Sequence, residues 1–212
     1  LGASANGVYA LANKIPSIVN ILYPAFNLAW TDSATRSVND PDSAKYYNRM
    51  FKMLFCIVSA GTVLLLATSP IIFNILCRNK SLYEAFNYTP VLIIATYFYC
   101  FSQFFGSIYV AKKNAKNMSI TTTMAAIINI VINLILIQQI GVLAAVLSTL
   151  VANLFLAGYR FIDLNRKYCR LRINKRLTIL SIIVILIISL LAYCTDPILW
   201  VLNIVLALGY AY

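Results

Sequence analysis

Seven apolar runs follow one another along the chain, at about 8–30, 54–76, 91–111, 118–137, 142–162, 177–194 and 197–212, with short polar links between them. At 1.5 Å rise per residue, a run of about 20 residues crosses the roughly 30 Å hydrocarbon core of a bilayer. Lipid offers the backbone no hydrogen-bond partners, so runs of this length predict helices that bond internally. The pattern therefore predicts an all-α, polytopic transmembrane helical bundle with about seven membrane segments.

The first run is too polar on one side to face lipid all round. Asn6, Asn13, Asn20 and Asn27 recur every seven residues and so stay on one helix face. Ser17, Pro16 and Pro24 fall on or beside that face, and Lys14 sits next to it. An amide stripe with an ammonium group needs protein or water as its partner. Further along, Thr122, Ala126, Asn129 and Asn133 form a stripe on the fourth run, and Ser148, Thr149, Ala152 and Asn153 one on the fifth. Gln103, with Ser102, Ser107 and Tyr109, is the polar part of the third. Small and polar stripes of this kind serve helix packing as readily as cavity lining, and the residues alone leave both open. The sixth run, nearly unbroken Ile, Leu and Val, is expected to face lipid on most of its surface.

Composition sharpens the class. Apolar residues make up 61% of the 212, charged residues 11%, and mean hydropathy is +0.82, which excludes an ordinary soluble domain. The net charge of +11 points to topology, with no nucleic acid implied. The first, third and fifth links carry Arg36, Lys45, Arg49 and Lys52, then Lys112, Lys113 and Lys116, then seven basic residues from Arg160 to Arg176. The second holds only Arg78 and Lys80, and the fourth and sixth none. The positive-inside rule makes the rich side cytoplasmic, with Cys77 external and Cys169 cytoplasmic. The 160–176 cluster is also placed to touch anionic headgroups. Five Cys without paired short spacing predict neither a disulfide framework nor a metal site. The absence of His excludes His-based acid–base catalysis. No catalytic residues, metal or cofactor are expected.

The motifs resemble a family. Gly7-Val-Tyr9-Ala, Ala12-Asn-Lys-Ile-Pro16 and Phe26-Asn-Leu-Ala-Trp30 look like the start of the second half of Wzx-type O-antigen and capsular polysaccharide flippases, within the multidrug/oligosaccharidyl-lipid/polysaccharide exporter superfamily. Tyr83-Glu-Ala before Pro90-Val-Leu92 is similar to the family's next external loop. Asn129-Ile-Val-Ile-Asn133-Leu-Ile with Gly141 and Thr149 resembles its recurrent signature. The family usually has Pro near Gln138 and Gly near Ala144, so the hairpin here is expected to be looser and its helix contact less close.

The resemblance implies a half of a two-repeat bundle around a central cavity. Residues 1–162 would form most of the second half-bundle, its first helix missing, and 163–212 a basic cytoplasmic loop with an appended helix pair. The chain, opening at Leu1 and stopping inside an apolar run, reads as a piece of a longer protein. The implied function is movement of undecaprenyl-diphosphate-linked oligosaccharide across the bacterial inner membrane, with membrane lipid and the N-terminal half as partners. Lys14, Asn13, Ser17, Asn20, Asn27, Gln103, Asn129 and Asn133 are the candidate cavity residues: amides and hydroxyls for sugar, Lys14 for the diphosphate. Two other functions fit less well. A cation-coupled multidrug antiporter is expected to use membrane carboxylates, and runs 8–30, 54–76, 91–111 and 118–137 hold none. A membrane polymerase or glycosyltransferase is expected to carry a large external loop, and the longest here is about 14 residues.

Overall fold

A computed structural model describes residues 3–76, 80–168, 171–172 and 175–193. The seventh apolar run, Arg78, Cys77 and Cys169 lie outside the described residues. Among those described, the α-helices are α1 (Ala3–Ala12), α2 (Lys14–Arg36), α3 (Ser43–Leu76), α4 (Thr89–Ala111), α5 (Ala115–Ile140), α6 (Val142–Lys167) and α7 (Lys175–Leu191), and a 3-10 helix (Lys80–Tyr88) leads into α4. The described residues form an all-helical membrane bundle.

Among the described residues, four helical stretches are long and apolar enough to cross a membrane: Ser43–Leu76, Tyr83–Ala111, Ala115–Ile140 and Val142–Lys167. A shorter apolar helix is Thr178–Leu191. The first run, expected as one span, differs: it divides at Asn13 into α1 and α2, and α2 carries on through polar residues to Arg36. The reason lies in Pro16. Proline has no N–H, so the Ala12 carbonyl loses its helical donor. Thr89 Oγ1, at the start of α4, donates to that carbonyl at 3.3 Å. Pro70 in α3 is handled the same way, with Ser69 Oγ donating at 2.8 Å to the Leu66 carbonyl that Pro70 leaves free.

The bundle is built around α4, whose apolar window is 72% buried against 11% for α5. A row of bonds fixes α2 along it. The Tyr23 hydroxyl donates to the Cys100 carbonyl at 2.6 Å, and Trp30 Nε1 donates to the Phe104 carbonyl at 3.1 Å. The Trp30 ring stacks on Phe104 at 4.5 Å with planes 7° apart. At the same end Tyr47 donates to the Ala34 carbonyl, which closes the α2–α3 turn. On α7, Ser181, Ile185, Ile188 and Ser189 form one buried seam that continues to Ala192 just past the helix, so the expected lipid-facing surface is broken along that seam.

Two expectations are corrected. Arg160, counted with the fifth basic link, is buried in α6 at 1% exposure. Its guanidinium is held between three helices: Nε donates to Thr121 Oγ1 at 3.0 Å, Nη1 to the Ser102 carbonyl at 2.8 Å, and Nη2 to Thr122 Oγ1 at 2.8 Å and the Met118 carbonyl at 3.2 Å. Five fixed donors let arginine bridge acceptors that a lysine reaches only one or two at a time. The α5–α6 hairpin is also tight. Gly141 alone joins the helices, at φ 56°, and Ala144 is fully buried. A left-handed φ reverses the chain in one residue without Pro before it, and an alanine methyl fits where a glycine was expected. Asp163 lies in the last turns of α6. Its carboxylate accepts from the Tyr109 hydroxyl at 2.6 Å and pairs with Lys167 at 2.7 Å.

Candidate substrate site

The kink at Asn13 and the amide stripe of α2 meet α4 and α6 at a polar cleft of about 270 Å³. Tyr9 and Asn13 enter from the α1–α2 junction and Asn20 from α2. Thr96 and Tyr99 come from α4, and Thr149 and Asn153 from α6. Apart from Leu92 and Ala95 of α4, the lining residues carry amides or hydroxyls, and none carries a formal charge. Asn153 Nδ2 donates to the Ala95 carbonyl at 3.1 Å, which fixes the amide while leaving its oxygen and second N–H for a ligand. Pro24 removes the i+4 donor of the Asn20 carbonyl, so the backbone there also has spare acceptor capacity.

On the other flank of α2 runs an apolar groove of about 380 Å³ between α2, α3 and α4. Leu22, Tyr23, Phe26, Leu65, Ile93 and Tyr97 are among the residues lining it. Thr96 lines both the groove and the polar cleft. Polar and apolar surfaces thus adjoin across one turn of α4.

Of the eight residues singled out in the sequence, Asn13 and Asn20 line the cleft. Asn129 stands just behind it, its Nδ2 at 3.5 Å from Thr149 Oγ1. Asn27 is turned to α4 and accepts from Ser107 Oγ at 3.1 Å, so it serves packing. Ser17 donates to the Lys14 carbonyl at 2.6 Å within its own helix. Lys14 is exposed in the first turn of α2 and lines neither the cleft nor the groove. Gln103 is half-buried on α4 and also lines neither. Asn133 Oδ1 is buried without a hydrogen-bond partner. Tyr9, Thr96, Tyr99, Thr149 and Asn153 line the cleft without being among those eight. The i, i+4 pair Thr149 and Asn153 carried a usable signal, but the same spacing describes helix packing.

A polar cleft between the helices of a membrane bundle is an architecture that membrane transporters use. The family model MatE matches residues 1–135, and the chain belongs to that family. MatE proteins are transporters of the multidrug/oligosaccharidyl-lipid/polysaccharide exporter superfamily, and enzymes are not among them. No curated protein matches the chain, and no solved structure does. The matched segment holds α1 to α4 and most of α5. Thr149 and Asn153 lie beyond it.

Proposed function

We propose that the intact protein is a flippase that moves undecaprenyl-diphosphate-linked oligosaccharide from the cytoplasmic to the periplasmic leaflet of the bacterial inner membrane, for O-antigen or capsule assembly. One observation carries this reading: a neutral cleft of amides and hydroxyls shares Thr96 with an apolar groove. An amphiphile with a hydroxyl-rich head and a long hydrocarbon tail matches both surfaces at once. Sugar hydroxyls pair with neutral donors and acceptors without the desolvation cost of ions. The groove offers aromatic and aliphatic walls for an isoprenoid chain. Lys14 is the candidate counter-charge for the diphosphate. It is exposed, follows Asn13 of the cleft in sequence, and is free of any ion pair among the described residues. An N-terminal half supplies the facing wall, and the two halves alternate access around a site at their interface.

A second reading has its own support. The groove taken alone, with Tyr23, Phe26 and Tyr97, suits a flat apolar cation, as a multidrug exporter of the same superfamily would require. Mutations in the cleft separate the two. Asn20→Leu and Asn153→Leu, in the intact protein in a flippase-null strain, are each expected to lower surface polysaccharide at least about tenfold, one lost polar contact in a desolvated site being worth about 1.4 kcal/mol or more. Protein level should be unchanged. Asn6→Leu, on the same heptad stripe but exposed and outside the cleft, should complement fully. Lys14→Ala should reduce polysaccharide sharply, with Lys14→Arg partly active. Full complementation by both cleft variants would overturn the flippase reading.

A further inference from the structure

We infer that the basic end of α3 forms a binding site for the phosphodiester headgroup of an anionic phospholipid in the leaflet at that end of the bundle. This inference is independent of what the protein transports. The length of α3 sets the depth. Its 34 residues extend about 51 Å, well beyond a roughly 30 Å hydrocarbon core. The apolar stretch from Met53 to Leu76 is long enough to fill that core, so the turns from Ser43 to Lys52 stand at headgroup depth. Lys45, Arg49 and Lys52 are spaced i, i+4, i+7 and share one face there; all three are exposed.

A second segment completes the site. Asn48 Oδ1, on the same stretch of α3, accepts from the Arg172 backbone N–H at 2.6 Å. This bond brings a residue 124 positions away against the helix. The result is a cleft of about 370 Å³ lined by Lys45, Asn48, Lys52 and Arg172. It adjoins one of about 450 Å³ that adds Arg49 and a single carboxylate, Asp42. The two ion pairs among the described residues, Arg36–Asp32 and Lys167–Asp163, use none of these cations. A general cytoplasmic excess of Lys and Arg explains how many charges lie at this end. It does not explain cations from two distant segments converging on one cleft through a backbone hydrogen bond. A phosphate oxygen cluster is the ligand that such a set of ammonium and guanidinium donors recognises. At this depth, its abundant membrane source is a phosphatidylglycerol-like lipid.

The test uses the intact protein in detergent, titrated with phosphatidylglycerol or phosphatidylcholine and followed by native mass spectrometry. The variant Lys45→Gln/Lys52→Gln/Arg172→Gln is expected to lose phosphatidylglycerol affinity by about fivefold per charge removed, with phosphatidylcholine binding unchanged. A matched variant at the same end, Arg36→Gln/Lys113→Gln/Lys116→Gln, removes as many basic residues outside the cleft and should retain affinity. Lys45→Arg/Lys52→Arg should retain it as well, which separates charge from folding. Equal losses in the cleft variant and its matched control would reduce the effect to net charge and overturn the site. An unaffected cleft variant would overturn it too. Displacement of the lipid by millimolar inorganic phosphate would identify a free-phosphate site and contradict the lipid assignment.

Discussion

Arg160→Ala is expected to destabilise the protein by roughly 3–5 kcal/mol, one of the two largest effects expected in the bundle. Four hydrogen bonds from one guanidinium tie α6 to Thr121, Thr122 and Met118 of α5 and to Ser102 of α4. Burying the ion costs several kcal/mol, which its hydrogen bonds largely offset, so the bonds alone leave at most a modest surplus. The cavity left by alanine in a fully buried position supplies the rest. The two contributions separate by substitution. Arg160→Met fills most of the volume without the charge and should cost less than half as much as alanine, as replacement of buried ions by apolar groups often does. Gly106→Ala attacks the same network from the other side. A Cβ there would stand 2.9 Å from Nη1 of Arg160, and with four bonds holding the guanidinium it cannot swing clear freely. A loss of about 1–2 kcal/mol is expected. Thermal unfolding in one detergent, compared across the three variants, gives the ranking alanine, then Gly106→Ala and Arg160→Met.

Trp30→Ala should be comparably severe, at roughly 3–5 kcal/mol. Trp30 is 1% exposed, stacks on Phe104 and meets Tyr47 edge-on at 5.6 Å. Its indole N–H has a buried carbonyl as partner. It fastens α2 to α4 beyond the polar cleft, so its loss loosens the wall that carries Asn20. Trp30→Phe keeps most of the ring contact and gives up the hydrogen bond, for which about 1 kcal/mol is expected. The same unfolding measurement distinguishes them. A Trp30→Ala protein with wild-type stability would show that α2 is held elsewhere.

Helices were readable because their signal is length. Runs such as 118–137 and 142–162 have one physical solution in lipid, and the helices follow them, α5 with three residues added at each end and α6 with five added at its C-terminal end. The first run was misjudged because apolarity does not report breaks: Pro16 and its orphaned Ala12 carbonyl needed Thr89, 77 residues away, to show where the helix divides. Arg160 was misplaced for a related reason. A basic residue near the end of a span is indistinguishable in sequence from a snorkelling one; only the acceptors on Thr121 and Ser102 mark it as buried.

The site was half readable. A seven-residue spacing identified the face of α2, and Asn13 and Asn20 do line the cleft. Yet the face twists relative to its neighbours, so Asn6 ends exposed and Asn27 packs on Ser107. Periodicity places residues on a face without saying what lies opposite. Asn153 and Thr149 were visible as polar positions, but their role depends on α6 crossing α4 near Thr96, a long-range fact that no local pattern holds.

The most direct measurement reconstitutes the intact protein in liposomes and follows two cargoes, a fluorescent undecaprenyl-diphosphate-linked oligosaccharide and an apolar dye cation. Movement of the lipid-linked oligosaccharide between leaflets is expected, lost in Asn20→Leu and Asn153→Leu, with no dye transport. Dye transport with the oligosaccharide left in its original leaflet would contradict the flippase assignment and favour the multidrug exporter.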